Sequence, residues 1–275
     1  MLNFTINEEL CIQCGLCAQD CMFGVIELDG FPRIKNEERC IKCQHCFAVC
    51  PTGALSILGN YSEDSILLKG AFPNESQMEA LIKGRRSVRK YKQEGLEVEQ
   101  INKLVDTAWH APTGVNSQQV HITLMDDPNA VQAFSDEVFK RLAEGINTGT
   151  LPETPISHYL EWAHQMKQDT GEDIIFRGAP HFLLASSPKT APSPVADTHI
   201  FLSYFELMAQ SMKIGTLWNG FLKHTIDTIF PDFREELGIP EDHVIGYAMI
   251  FGKPAVKYQR TLNRGRARVN RVGWK

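Results

Sequence analysis

The chain has 275 residues, of which 43% are hydrophobic and 22% are charged, and its formal net charge at pH 7 is −5. These proportions are typical of a globular protein with one large domain or two unequal ones, and they give no reason to expect nucleic acid or an anionic membrane as a partner. No apolar run approaches the roughly 20 residues that span a bilayer, and the first ten residues lack the features of a secretion signal, so we expect a cytoplasmic protein.

All eight cysteines lie between Cys11 and Cys50. Cys11 begins a C-x2-C-x2-C-x3-C run, and Cys40 begins a second run with the same spacing, which Pro51 follows. An offset of 29 residues superimposes the two runs, which indicates an internal duplication. The spacing is that of bacterial ferredoxins, whose cysteine thiolates bind iron–sulfur clusters.

The fourth cysteine of each run lies too far along the chain to complete the same cluster, and in two-cluster ferredoxins it ligates the other one. We therefore predict two [4Fe–4S] clusters. The ligands of the first are Cys11, Cys14, Cys17 and Cys50, and those of the second are Cys40, Cys43, Cys46 and Cys21. Structural zinc is the alternative, although zinc sites usually pair two C-x2-C units across a longer gap. A disulfide framework is not expected, because cytoplasmic thiols stay reduced.

After the cysteine runs comes a polar stretch punctuated by Gly59, Gly70 and Pro73, without a sustained helical or strand period. We predict a ferredoxin-like domain over residues 1–58, a linker over 59–74 and a working domain over 75–275. The first domain is small for a single hydrophobic core, and metal clusters that connect its halves would supply the missing stabilisation.

Hydrophobic periodicity in the working domain predicts helices over residues 75–84, 98–110, 128–145 and 197–215. The last helix is apolar on most of its circumference, which favours a position in the middle of the domain. Continuous apolar runs over 181–187 and 243–252 predict two buried strands. Helices and strands do not alternate regularly as βαβ units, so the sequence predicts an α+β fold.

Four segments of the working domain carry a family resemblance. They are R-R-S-V-R-K-Y at 85–91, A-P-T-G-V-N-S-Q-Q at 111–119, G-T-L-W-N-G-F at 215–221, and the late pair Arg264 and Arg266. In this order they resemble the nitroreductase family of FMN-dependent oxidoreductases, over roughly residues 75–275. Tyr91 replaces the phenylalanine usual in the family, and Gln119 replaces a proline. The whole chain resembles a ferredoxin–nitroreductase fusion.

The resemblance implies a central mixed or antiparallel sheet flanked by helices, and an intertwined homodimer with FMN at its interface. The residues that it implies as FMN contacts are Arg85, Arg86, Ser87, Pro112, Thr113, Gly114, Asn116, Leu217, Trp218, Asn219, Gly220, Arg264 and Arg266. Arg85, Ser87 and Arg266 would hold the phosphate, because a guanidinium offers paired, charge-assisted hydrogen bonds to it. Asn219 and Gly220 would contact the flavin through backbone groups. Contacts from residues 112–116 would reach the flavin of the partner chain.

Some of these features have simpler explanations. The R-R-S segment alone is typical of a solvated basic turn at a helix end, and Trp218 fits a core aromatic as well as a role at the flavin. The last nineteen residues hold seven basic side chains and no acidic one. Such a run could bind nucleic acid, but interleaved aromatic residues are scarce, so we favour an arm that embraces the partner subunit.

The function that these features favour is a flavoenzyme that reduces a small electron-poor organic acceptor, such as a nitroaromatic or a quinone. Electrons would pass between two [4Fe–4S] clusters and FMN, and the donor would be NAD(P)H or a ferredoxin. No catalytic residue is predicted, because the flavin supplies the chemistry. An electron-transfer protein that serves a protein partner, and a redox sensor, are the alternatives.

Overall fold

The structure is a computed structural model, and it describes residues 1–274. The chain forms two compact units. The first contains Met1–Pro73 and Val115–Ser117, and the second contains Asn74–Gly114 and residues 118–274. Most of the segment predicted as a linker, residues 59–73, therefore belongs to the first unit, and it includes a 3₁₀ turn at Ser62–Asp64.

The first unit consists of one short hairpin, one pair of strands that are distant in the sequence, and two short helices. Its elements in chain order are β1 (Thr5–Ile6), α1 (Leu16–Gln19), β2 (Ile26–Asp29), β3 (Phe31–Ile34), α2 (His45–Ala48) and β4 (Leu55–Ser56). Strand β1 pairs with β4, and β2 pairs with β3, both antiparallel. The small core contains Leu2, Ile26, Leu55 and Ile57, which pack with two of the cysteines.

The duplication seen in the cysteine spacing is repeated in the backbone of this unit. Gln13 and Lys42, which the 29-residue offset aligns, both adopt a left-handed conformation, with φ of 53° and 57°. Gly15 and Gln44 do the same at φ of 76° and 59°, immediately before α1 and α2. Residues other than glycine adopt this conformation rarely, so its recurrence indicates that both cysteine loops need the same turn.

The second unit contains all four predicted helices and both predicted strands. Its elements are α3 (Glu75–Gly84), α4 (Val98–Ala108), β5 (His121–Met125), α5 (Pro128–Thr148), α6 (Ser157–Thr170), β6 (His181–Pro188), α7 (Pro194–Ser211), β7 (Gly215–Trp218), α8 (Gly220–His224), α9 (Phe233–Glu236) and β8 (His243–Gly252). The helix predicted over 197–215 is α7, which begins earlier than expected, at Pro194. It also ends earlier, because the chain turns at Met212 and Lys213 to enter β7.

The named strands of the second unit form one sheet in the order β5-β6-β8-β7, and every neighbouring pair is antiparallel. The central strands β6 and β8 are almost fully buried, because helices cover both faces of the sheet. Phe182 belongs to the hydrophobic core on one face, and Phe251 to the core on the other, together with Phe201 and Phe205 of α7. The arrangement confirms the predicted α+β class.

Two isolated bridges extend this sheet, one at the edge strand β7 and one just beyond the end of β8. Ser87 pairs in parallel with Thr216, and Tyr91 pairs with Pro254. The Tyr91 hydroxyl also donates to the Val88 carbonyl oxygen at 2.9 Å. These contacts fix the R-R-S-V-R-K-Y segment along the sheet. Of the helices in residues 1–274, none combines the length and apolarity that crossing a membrane requires.

Close packing between α7 and β8 generates a stability prediction at Gly246. A Cβ atom there would lie 1.8 Å from Thr198 Oγ1, and Thr198 is fully buried. Because overpacking a tight core costs about 1–3 kcal/mol or more, Gly246→Ala should lower the free energy of unfolding by about 3 kcal/mol and the melting temperature by several degrees. Calorimetry measures this change.

Gly84→Ala is the matched control, because a Cβ atom at Gly84 meets nothing within 4 Å and its φ is not left-handed. We expect it to leave the melting temperature unchanged or slightly raised, since alanine favours the helix. Equal melting temperatures for Gly246→Ala and Gly84→Ala would show that the contact between α7 and β8 is not tight.

Candidate functional site

The eight thiols of the first unit gather into two groups, each of which lines its own cavity. Cys11, Cys14, Cys17 and Cys50 line one, and Cys21, Cys40, Cys43 and Cys46 line the other. The strand pairs explain this grouping. Antiparallel pairing of β1 with β4 brings the chain before Cys11 next to the chain after Cys50, and the β2–β3 hairpin lies between Cys21 and Cys40. Each cavity therefore receives three cysteines of one run and the last cysteine of the other.

Burial and mutual repulsion disfavour the free thiolate form of two of these cysteines, so the thiolates would need a bound cation to stabilise them. The pKa of Cys46 is raised to about 11, mainly by burial and in part by repulsion from the nearby Cys43, Cys21 and Cys40. Burial likewise raises the pKa of Cys17, to which Cys50 and Cys14 contribute. Four thiolates in one cavity repel one another, so a positively charged metal cluster would neutralise them.

Hydrogen bonds to sulfur are also in place. The amide of Val25 donates to Cys21 Sγ at 3.3 Å, and the amide of Lys42 donates to Cys40 Sγ at 3.4 Å. The pKa of Cys50 is lowered overall. Burial alone would raise it, but hydrogen bonds to the sulfur, most of all those from Thr52, have the larger combined effect. Within residues 1–274, no three His, Cys, Asp or Glu side chains are close enough to hold a single metal ion. The four cysteine sulfurs at each cavity, some of which accept hydrogen bonds from backbone amides, fit the ligands of an iron–sulfur cluster.

In the second unit, Arg85 follows α3 directly and forms an ion pair with a buried carboxylate. Its Nη1 donates to Glu206 Oε1 at 2.8 Å, and Glu206 is only 6% exposed on α7. Thr216 Oγ1 donates to the same oxygen at 3.3 Å. Glu206 therefore orients the guanidinium of a residue that the sequence predicts as a phosphate ligand, since buried charges in proteins are normally paired.

Arg85 and Arg86 line a cavity with the late basic segment. Its other lining residues are Ile82, Lys83, Thr261, Leu262, Asn263, Arg264 and Gly265. Arg86 Nε is buried without a hydrogen-bond partner within the described chain, while its Nη2 donates to the Lys83 carbonyl oxygen. Four cationic side chains and no carboxylate line this cavity, so it suits a phosphate. Arg266 is exposed and is not among the lining residues.

The predicted A-P-T-G-V-N-S-Q-Q element is a loop held by hydrogen bonds, one within the loop and others to residues elsewhere in the chain. The amide of Gly114 donates to Asp197 Oδ1 at 3.0 Å, and the amide of Gln118 donates to Thr113 Oγ1 at 3.0 Å. A Cβ atom at Gly114 would lie 2.9 Å from Ser193 Oγ, so a larger residue there would require the Ser193 side chain to shift. Within the first unit, Asn116 Nδ2 donates to the Ile41 carbonyl oxygen at 2.8 Å. Pro112 is exposed.

The G-T-L-W-N-G-F segment runs through β7 into α8, and Asn219 connects the two. Asn219 Oδ1 accepts from the amide of Leu222 at 3.0 Å, its Nδ2 donates to the Ile175 carbonyl oxygen at 2.7 Å, and its own amide donates to Ala248. Asn219 is therefore a buried helix cap. Leu217 and Gly220 are half-buried beside it.

Trp218 is half-buried and belongs to a group of three aromatic rings. Its ring stacks on His199 at 5.8 Å between centroids and lies 5.4 Å from Tyr247. His199 Nδ1 lies 2.7 Å from the Val195 carbonyl oxygen, which fixes the orientation of the imidazole. Trp218 thus packs on the hydrophobic core at one edge and remains partly accessible at the other.

The contacts of four residues were not predicted from the sequence: Glu206, His199, and the neighbouring arginines Arg89 and Arg177. Burial lowers the pKa of Arg177, and the positive charge of Arg89 lowers it further. Arg177 also has a left-handed backbone, with φ of 56°. Spacing carries no signal for these contacts, because Arg85 and Glu206 lie 121 positions apart.

Comparison with known proteins gives two matches in one chain. The model of the nitroreductase family matches residues 82–253, and the model of a 4Fe-4S dicluster domain matches residues 10–55. Nitroreductase NfnB of Mycolicibacterium smegmatis is 26% identical over an alignment of 182 residues, and the match covers 58% of this chain and 76% of that protein.

Solved structures share the fold of the second unit. A nitroreductase from Bacteroides fragilis with bound FMN has a TM-score of 0.55 at 20% identity, and the match covers 72% of this chain and 100% of that one. NfnB from Mycobacterium smegmatis in complex with NADPH has a TM-score of 0.51 at 21% identity, with the same coverage. Since its family model spans more than half of the 275 residues, the chain belongs to the nitroreductase family, and a 4Fe-4S dicluster ferredoxin domain precedes its nitroreductase domain.

Proposed function

We propose that this chain is an FMN- and iron–sulfur-dependent oxidoreductase that reduces a small electron-poor organic acceptor of the nitroaromatic or quinone type. The observation that carries the proposal is the presence, in one chain, of two four-thiol cavities and a cavity lined by four cationic side chains. Bound [4Fe–4S] clusters would carry one electron each, and bound FMN would collect two for delivery to the acceptor.

The cysteine cavities would each hold one cluster. Cys11, Cys14, Cys17 and Cys50 would ligate the first, and Cys40, Cys43, Cys46 and Cys21 the second. The amides of Val25 and Lys42 would stabilise the bound thiolates through their hydrogen bonds to sulfur.

The cationic cavity would hold the FMN phosphate. Arg85, Arg86 and Arg264 would supply charge-assisted hydrogen bonds, and Glu206 would keep Arg85 in a fixed orientation. Ser87 and Arg266 remain proposed contacts on the family resemblance, and Arg266 would have to reach the phosphate from outside the lining that the structure shows.

The flavin ring would lie against the loop of residues 217–220 and, across a homodimer interface, residues 112–116. Because the polar groups of Asn219 are engaged within the chain, its proposed role is to cap α8 and so hold Gly220 in place. The NADPH complex of NfnB supports a nicotinamide as the electron donor. A ferredoxin is the second donor candidate, and the ferredoxin domain supports it.

The proposal that the last cysteine of each run ligates the cluster of the other run is tested by combining cysteine variants. Cys50→Ala should remove one cluster and roughly half of the iron and sulfide, because it leaves three thiolates at one cavity. Adding Cys14→Ala should cost no further iron, since both residues serve the same cluster. Adding Cys43→Ala instead should remove nearly all of it. Iron and sulfide analysis with EPR measures these losses, and FMN occupancy controls for folding.

The opposite pattern would contradict the assignment. If Cys50→Ala with Cys14→Ala removes all iron, while Cys50→Ala with Cys43→Ala retains half, then each run closes its own cluster.

The function itself is tested through Arg264. Arg264→Gln removes one charged hydrogen bond to the phosphate, so the Kd for FMN should rise about tenfold or more. The FMN concentration that gives half-maximal reduction of 4-nitrobenzoate by NADPH should rise by the same factor relative to the parent protein. Fluorescence titration and anaerobic turnover measure the two effects.

Arg268→Gln is the control, because Arg268 is exposed and lies outside the cavity lining. We expect it to bind FMN as the parent does. Equal FMN affinity in both variants would refute the phosphate site. Failure of the parent, with full FMN and iron, to reduce nitro compounds or quinones from any donor would refute the function.

A further inference from the structure

The two cysteine loops of the first unit share a backbone conformation but present different surfaces. Ile12 of the first loop is 64% exposed, whereas its duplicate Ile41 is half-buried. Cys14 is likewise exposed, whereas its duplicate Cys43 is half-buried. Since the duplication holds the loop geometry constant, the difference lies in what surrounds each loop.

Apolar side chains surround the exposed cysteine of the first loop. Leu10 and Ile12 precede Cys14 in the chain, Leu16 follows it, and the Leu28 side chain lies close to the backbone of Gly15. The exposed fractions of the four side chains are 47% for Leu10, 64% for Ile12, 37% for Leu16 and 48% for Leu28. We call Leu10, Ile12, Leu16 and Leu28 the first-loop patch. At the duplicate positions of Leu10 and Leu16 the second loop has Arg39 and His45.

Charge separates the two loops as well. The first 32 residues contain five acidic side chains and no Lys or Arg. Glu8, Glu9 and Asp20 flank the first-loop patch, and they form no ion pair with any residue that the structure describes. The second loop carries Arg39 and Lys42 where the first has Leu10 and Gln13. Exposed acidic residues without an ion pair therefore lie next to the first-loop patch in the sequence, and basic ones do not.

The chain holds the first loop in place. Asn7 Oδ1 accepts from the amides of Glu9 at 3.0 Å and Leu10 at 3.3 Å, and its carbonyl oxygen accepts from the amide of Cys11 at 2.9 Å. Ordered apolar surface loses little conformational entropy when it is covered, so the patch is ready for a partner.

From these observations, and resting on the function proposed above, we propose that the first-loop patch is the docking surface for a small redox protein with an apolar contact face and a Lys/Arg rim. Electrons would enter or leave the chain at the first cluster and not at the second. Electron-transfer encounters use small interfaces, and opposite charges accelerate association in them. A second copy of this chain fits the patch less well. A symmetric contact would place Glu8 and Glu9 against Glu8 and Glu9 of the other copy, and like charges repel.

The test uses cytochrome c, a basic one-electron haem protein, as the probe. Holoprotein with reduced clusters is mixed with it anaerobically, and cluster reoxidation and haem reduction are followed together by stopped flow. The rate constant should fall steeply as added salt shortens the Debye length from about 30 Å to about 3 Å. At low salt, Glu8→Gln with Glu9→Gln should slow the reaction about tenfold, and Ile12→Gln should also slow it.

Glu37→Gln with Glu38→Gln is the matched control, because these residues are the exposed duplicates of Glu8 and Glu9 in the second run. It should leave the rate unchanged. With clusters intact, equal rates for the two double variants, or a rate independent of salt, would overturn the docking surface. If Ile12→Gln lowers the oligomeric state of the protein in size-exclusion chromatography relative to the parent, a second copy covers the patch and the proposal is also overturned. Parent protein that binds no clusters would instead refute the proposed function.

Discussion

The first unit depends on one constraint: eight thiols of a short chain must converge in two crossed sets. Each cavity is lined by three cysteines of one run and the last cysteine of the other, so the strand pairs must bring distant parts of the chain together. Pairing of β1 with β4 brings Cys50 to the first run, and the β2–β3 hairpin brings Cys21 to the second. Metal binding would then supply folding free energy that so small a core lacks. The duplication also produces two cysteine loops with the same backbone conformation, and the side chains on their surfaces differ in polarity and charge.

The second unit places its positive charge at the edge of an otherwise apolar sheet. The parallel bridge of Ser87 to Thr216 fixes the start of the R-R-S-V-R-K-Y segment, and buried Glu206 orients Arg85. An anion bound here would meet guanidinium groups that have already lost much of their conformational freedom, which favours affinity. The half-buried rings of Trp218, His199 and Tyr247 belong to the same unit and connect its core to accessible surface.

Local patterns predicted what depends on local geometry. Cysteine spacing predicted the composition of both thiol groups, because the ligand loops are short and repeated. Apolar periodicity predicted α3, α4, α5, α7, β6 and β8, and the family resemblance identified the segment that begins at Arg85. Contacts between distant positions were not predictable in this way. The Arg85–Glu206 pair, the helix-capping role of Asn219 and the position of Arg266 outside the cationic cavity all follow from tertiary packing.

The central claim is that two clusters and FMN in one chain share one electron path. The most direct test is to reduce the holoprotein fully under anaerobic conditions, add a nitroaromatic acceptor, and follow flavin absorbance and cluster EPR together. Our account predicts that the acceptor discharges about four electrons per chain, and that clusters in FMN-depleted protein stay reduced. Clusters that stay reduced in the holoprotein, or that discharge equally fast without FMN, would contradict it.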